Sequence, residues 1–307
     1  DEHDNIEYKF TKKKDNSYYI TKLIFKNPIN FQFLNYKKNK NSDLEIDIKA
    51  QLKKNKKLLF EEILLKEKNN LISVKNLTLS SKNKIEDFLS IRTDFLDKNN
   101  FKNKIQIVKN KKGFLVSGES FSIDKIIDIF LDSDDKNKSS FFHRDLRFDF
   151  DIKKNYFDKE NIIRDLKGHL FLQKNKISEL NLVSKFTNEQ KITFTIKKNG
   201  DKQITTIFTD KAKPLINRYK FIKGFSEGSL DFYSVENNNE SKSTLRIYNF
   251  KLKELPVLTK ILTLASLQGI ADLLSGEGIR FNELEMKFSN KGEMMNIEEI
   301  YAIGPAI

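Results

Sequence analysis

Apolar and polar residues alternate with period two along most of this chain, and that alternation limits what it can fold into. Leu44, Ile46, Ile48, Ala50 and Leu52 are interleaved with Glu45, Asp47, Lys49 and Gln51. A strand with one dry face and one wet face requires this order, because successive side chains point to opposite sides. The pattern returns at Phe148, Phe150 and Ile152 against Arg147, Asp149 and Asp151, and at Ile192, Phe194 and Ile196 against Thr193, Thr195 and Lys197. Shorter versions surround Phe31/Phe33, Leu77/Leu79, Ile105/Ile107, Leu180/Leu182, Leu230/Phe232, Leu245/Ile247 and Met286/Phe288. Polar turn clusters such as Lys53 to Lys57, Lys68 to Asn70, Lys109 to Gly113 and Lys198 to Asp201 separate them, as hairpins demand. The expected fold is mostly β, a long antiparallel meander. About 16 strands at roughly 4.8 Å spacing would make an open sheet on the order of 75 Å wide. Twisted open sheets of that size curl, so the meander is expected to form an elongated apolar groove rather than a flat ribbon.

Three segments break the alternation. Ser122 to Leu131 sets Ile123, Ile126, Ile127, Phe130 and Leu131 at helical spacing behind a Ser able to cap the first turn. A second short helix is expected over 211–221, entered through Pro214. The third, 255–274, is the least polar stretch, opened by Pro256 and closed by Ser275-Gly276. It is long enough to span a bilayer, but Lys260 and Asp272 lie within it, and each central charge costs roughly 2.5–3.5 kcal/mol on insertion. It reads instead as an interface-seeking or buried helix. Leu258, Ile261, Leu262 and Ala265 form one flank; Leu264, Leu267, Ala271 and Leu274 form another.

Composition excludes several classes of function. The 307 residues contain 26 Phe and 38% apolar residues, enough to build a core. Absence of Cys removes disulfides, thiolate metal sites and cysteine nucleophiles. His3, His143 and His169 are too scattered for an imidazole cage. The net charge of +13 raises nucleic acid or an anionic surface as a partner. The excess is mostly Lys, spread evenly and accompanied by Asn, Ile and Phe; Arg, the better bidentate phosphate reader, is scarce. A solvated surface accounts for it, and no nucleic acid is expected. The chain starts at Asp1 without a leader pattern and runs out in the apolar stretch Tyr301 to Ile307, so it reads as a piece of a longer protein.

Catalytic motifs fail one by one. Gly224-Phe-Ser-Glu-Gly228 matches a nucleophile elbow in letters, but a helix precedes it, a strand follows it, and no His lies downstream of His169. Asp132, Asp134 and Asp135 suggest a calcium loop, yet Lys136 stands at the fifth position and no Gly follows. Gly276-Glu-Gly278 lacks the third Gly and the preceding strand of a dinucleotide loop. Glu298 and Glu299 are consecutive and face opposite ways in a strand. No enzyme and no cofactor is expected.

The last third is distinctive in letters as well as pattern: Gly228 to Phe232, Ser243 to Leu252, Leu255 to Ile270, Leu274 to Phe281 and Gly304-Pro-Ala306. With Val116 to Asp124 and Phe208 to Leu215 upstream, this run resembles the C-terminal region of the AsmA-like proteins of Gram-negative envelopes, in their alphaproteobacterial branch. The resemblance covers 116–307; residues 1–115 share the style but carry no specific motif, which suggests a division between 1–115 and 116–307. It implies a long sheet curled around an apolar groove, in a bridge-like lipid-transfer protein. The implied role is phospholipid movement between inner and outer membranes, in the periplasm, from an inner-membrane anchor absent from this chain and with envelope protein partners possible.

The physics of such a role is simple. A two-chain phospholipid exposes roughly 30 methylenes to water, at about 0.8 kcal/mol each, so a carrier must hide on the order of 20 kcal/mol of apolar surface. Ile46, Ile48, Phe148, Phe150, Ile192, Phe194, Ile196, Leu230 and Phe232 are the expected contacts for acyl chains. Two other readings stay open from the residues: a structural or adhesin-like β-protein whose apolar faces seal one another, and a basic module binding an anionic membrane surface or nucleic acid.

Overall fold

A computed structural model describes residues 3–38, 40–123, 142, 145–173, 176–186, 188–219, 223–238, 240–253, 275–276, 278–292 and 294–305. The described chain is mostly β and forms two compact units, 1–177 and 178–307. The division at 115/116 drawn from motifs falls inside a strand.

The first unit begins with β1 (Asn5–Lys13) and β2 (Asn16–Phe25), followed by a small hairpin of β3 (Ile29–Phe31) and β4 (Tyr36–Lys38). The meander then continues through β5 (Leu44–Leu52), β6 (Leu58–Glu67), β7 (Asn70–Leu79), β8 (Ile85–Asp87), β9 (Ser90–Leu96) and β10 (Lys102–Lys109). It ends in β11 (Phe114–Ser122), β12 (Leu146–Tyr156) and β13 (Ile162–Gln173). Neighbours pair in the order β1, β2, β5, β6, β7, β9, β10, β11, β12, β13, with β8 added at one end of β7. The β3–β4 hairpin is a separate two-stranded sheet.

All these pairings are antiparallel except β11 with β12. The expected mostly-β meander is therefore present, with this one parallel pair making its sheet mixed. A parallel pair needs a crossover of a dozen or more residues, and the one here contains 124–141, outside the described residues. Most of the helix expected over 122–131 lies there too; Ser122, its expected cap, is the last residue of β11.

The second unit takes in most of β14 (Lys176–Phe186), then β15 (Lys191–Asn199), β16 (Lys202–Thr209), the helix α1 (Lys213–Tyr219), β17 (Phe225–Asn237), β18 (Glu240–Leu252), β19 (Ile279–Lys291) and β20 (Met294–Ile303). From β14 to β20 each strand pairs antiparallel with the next. The helix expected over 211–221 is α1, with Pro214 in its first turn. The helix expected over 255–274, with Leu258, Ile261, Leu262, Ala265, Leu267 and Leu274, lies outside the described residues. Among the described residues no helix is long and apolar enough to cross a membrane.

Turn chemistry follows the Asn- and Lys-rich clusters. Asn16 and Lys13 close the first hairpin around Lys14 at φ 51°, and Gly200 between β15 and β16 sits at φ 61°. Left-handed backbone suits Gly best and Asn well among the other residues. Among the described residues β1 and β20 are each paired on one side only.

Candidate functional site

Registry, more than any single residue, builds the site. In the first unit the pairings set Ile48 opposite Ile63, Ile63 opposite Val74 and Val74 opposite Ile91. The same row goes on through Ile107, Val116 and Phe150. Directly paired residues share a face, with Cβ atoms about 4.5–5.5 Å apart. Six strands and the parallel neighbour β12 therefore lay one apolar row across the sheet.

Among the described residues this row is only partly buried, and Ile91 and Ile107 pack against the buried cluster of Phe88, Phe114 and Leu146. Ile48, Ile63, Val74, Ile91, Ile107 and Phe150 are all half-buried, although each lies on the dry face of an interior strand. Only Val116 in this run is buried. A second sheet packed face to face would remove such positions from water.

The ends of the same face are closed. At one end the β3–β4 hairpin folds Tyr36, 1% exposed, onto Leu44, Leu65, Ile72 and Phe95. Tyr36 meets the Phe95 ring edge-on at 5.6 Å. The hairpin is tied down by polar groups: the Tyr36 and Ser42 hydroxyls both donate to the Glu67 carboxylate. Asn35 donates to Asp97 at 3.2 Å, and the Lys38 ammonium donates to the Lys26 carbonyl at 2.6 Å. Burial pushes the Glu67 carboxyl above its ordinary value, opposed by a hydrogen bond from Asn70 and the charge of Lys68. At the other end Phe88 stacks on Phe114 at 4.1 Å, and Phe114 on Phe148 at 5.5 Å, with Leu146 buried beside them.

The second unit repeats the scheme. Leu182, Phe194, Ile207, Phe232, Leu245, Met286 and Ile300 form one row across seven strands. Leu182, Phe194, Ile207, Phe232 and Met286 are half-buried, Leu245 is buried and Ile300 is exposed. Helix α1 closes one end, with Ala212 and Ile216 seated on Phe225, Leu230, Ile247 and Phe250. Phe250 stacks between Phe225 and Phe281 at 5.4 and 5.0 Å. One hydroxyl pair interrupts the apolar face: Ser243 donates to Ser234 at 2.9 Å, and both are buried.

The opposite faces are wet and charged. Lys22 pairs with Glu45 at 3.1 Å, Lys49 with Glu62 at 3.3 Å and Lys104 with Glu119 at 2.8 Å. In the second unit Arg246 pairs with Glu285 at 2.5 Å and Lys287 with Glu299 at 2.8 Å. Hydrogen bonds from Arg246 and Lys287 hold the Glu285 carboxyl below its ordinary value, and the bond to Glu45 raises that of Lys22. Exposed pairs of this kind add little to stability, being screened by water and salt; their main consequence is which side faces water.

The nine residues expected to contact acyl chains divide between the units: Ile46, Ile48, Phe148 and Phe150 in the first, and Ile192, Phe194, Ile196, Leu230 and Phe232 in the second. Seven are half-buried. Ile196 and Leu230 are 3% and 4% exposed, and Leu230 belongs to the cluster under α1. Pairing also brings in Ile63, Val74, Ile91 and Ile207, which periodicity alone did not single out because their alternations are short. Tyr36 and Phe88 carried no signal, since their segments are too brief to show a period. Ser226 of the elbow-like motif lies within β17, followed by Glu227 and Gly228 at positive φ, so it is a strand residue and not a turn apex.

No family model matches the chain, nor does any curated protein or any solved structure.

Proposed function

We propose that this chain is a non-enzymatic lipid-handling element, whose dry sheet faces hold phospholipid acyl chains while its charged faces stay in water. The observation carrying this reading is the run of half-buried Ile, Val and Phe along the apolar rows of both units, beside buried clusters that take up only part of each face. Apolar contact has no directionality, so the surface suits flexible chains of varied length, and headgroups stay at the lip. Resemblance to the AsmA-like proteins supports transfer between the inner and outer membranes of an envelope, and with it a periplasmic setting, membrane contacts and envelope protein partners.

Purified chain is expected to carry phospholipid, released on organic extraction and visible as mass adducts in native mass spectrometry. Repeated isolation from a lipid-rich host with no adduct, and no uptake from vesicles, would reject the reading. The closed-core alternative draws on the sealed cluster beneath α1; it predicts no adduct under any condition.

A further inference from the structure

Lysine is spread along the sequence, but folding gathers it. In an antiparallel meander every second turn lands at the same end of the sheet. The first unit has four turns at one end: between β1 and β2, β5 and β6, β7 and β8, and β10 and β11. They hold Lys14, four Lys within 53–57, Lys82 and Lys84, and Lys111 and Lys112, against a single carboxylate, Asp15. The three hairpin turns at the opposite end, 68–69, 97–101 and 157–161, hold three Lys and three acids. The β2–β5 connection beside them adds exposed Lys37 and Lys40, half-buried Lys26, and Asp43. Positive charge is therefore concentrated at one end of the strands.

Ion pairs lace these turns side by side. Lys54 of the second turn meets Asp15 of the first at 3.1 Å, and Lys57 meets Glu86 of β8 at 2.7 Å. Lys109, beside the fourth turn, meets Asp87 of β8. The carboxylates of the turns and of β8 are thus each engaged by one Lys, while Lys14, Lys53, Lys56, Lys82, Lys111 and Lys112 are exposed and outside these pairs. Strands lie about 4.8 Å apart, so the turns recur about every 10 Å and make a row on the order of 30 Å long. Two exposed apolar side chains stand in the row: Leu52 directly before Lys53, and Leu89, whose carbonyl accepts a hydrogen bond from the Lys109 backbone.

We infer that this end of the first unit docks on the surface of an anionic phospholipid bilayer. A row of lysines is drawn to negative headgroups within the screening length of the surface, and exposed leucines between them enter the boundary of headgroup and acyl chain. The composition of the row favours a membrane over nucleic acid. The four turns contain no Arg and no aromatic residue, whereas single strands are held by stacking on aromatic rings and phosphates are read bidentately by Arg. Lys is a point charge on a flexible stem and suits headgroups that shift position. The inference gives the membrane contact of the proposed function a place on the chain, and it stands whether or not acyl chains enter the apolar faces.

The full chain is expected to co-sediment with vesicles of phosphatidylglycerol and phosphatidylcholine but not of phosphatidylcholine alone, and to come off as salt is raised. Two variants that lose equal charge locate the contact. Lys53→Gln, Lys82→Gln, Lys111→Gln and Lys112→Gln together are expected to weaken vesicle binding on the order of a hundredfold. Lys37→Gln, Lys66→Gln, Lys98→Gln and Lys159→Gln together should weaken it by no more than about threefold, because a strand of nine or ten residues sets them about 30 Å away, beyond the screening length. Circular dichroism should be unchanged in both. Equal weakening by the two sets, or equal binding to phosphatidylcholine alone, would overturn the inference. Tighter binding of an oligothymidylate than of the anionic vesicles, lost in the first variant, would overturn it in favour of nucleic acid. Vesicle binding is read apart from lipid adducts in native mass spectrometry, so failure of either proposal leaves the other standing.

Discussion

Gly118 shows how tightly one residue can bind this architecture. A Cβ there would lie 2.4 Å from the Lys104 carbonyl oxygen and 2.7 Å from the Ile105 Cα, where the β10–β11 pairing shifts register. Backbone cannot yield as a side chain can, so Gly118→Ala is expected to destabilise by about 1–3 kcal/mol, read from the midpoint of urea unfolding. Glu67 gives a second test, through pH. Its folded carboxyl is raised by burial, so its contribution favours the fold when protonated, is full at low pH, and is lost as pH rises through the folded value. Glu67→Gln is therefore expected to raise the thermal midpoint at about pH 8 and to change it little near pH 4, below the ordinary carboxylate value. An advantage that grows toward acid would contradict this account of Glu67. Neither residue stands out in the sequence. A Gly is silent about what approaches it, and Glu67 looks like any other strand-end charge until Tyr36 and Ser42 fold onto it.

Elements divide by length into those the sequence announces and those it conceals. Strands such as β5, β12 and β15 run long enough for alternation to declare them and their dry faces, and α1 is declared by Pro214 with Leu215 and Ile216 behind it. The β3–β4 hairpin has three residues per strand, too few for a period, and its role as an end closure depends on contacts 31 to 62 residues away. The β11–β12 pair is hidden for another reason: a parallel pairing is chosen by where a crossover delivers the chain, which local pattern does not encode. Closure at the ends is testable by element. Ile216→Ala in α1, where Ile216 is fully buried, is expected to cost about 2–5 kcal/mol, measured by denaturant unfolding. A cost near zero would mean that α1 does not seal its end of the apolar face.

At the scale of the whole molecule, the same plan occurs in both units: a charged face, and an apolar face with a half-buried row beside a buried cluster. Which side is dry can be read from the sequence; how deeply each position on it is buried cannot, because alternation is identical for a groove and for a sandwich. Burial of Ile196 and Leu230 beside half-buried Phe194 and Phe232 shows both outcomes on one face. Ile48→Asp and Phe194→Asp are expected to abolish lipid capture with limited loss of fold, since each changes a half-buried centre and not a sealed end; capture equal to the unaltered chain would count against the proposed contacts. The basic surface has its own test, for binding through Lys alone falls steeply with added salt, whereas capture by apolar faces should not. The most direct measurement places a photo-reactive residue at Ile48 or Phe194 on the dry faces and at Lys49 or Thr195 on the wet ones, in cells, followed by mass spectrometry of the adducts. Phospholipid attached at the first pair and absent from the second is the predicted result; no lipid at any position, or equal labelling of both faces, would contradict the proposal that these apolar faces are open to acyl chains.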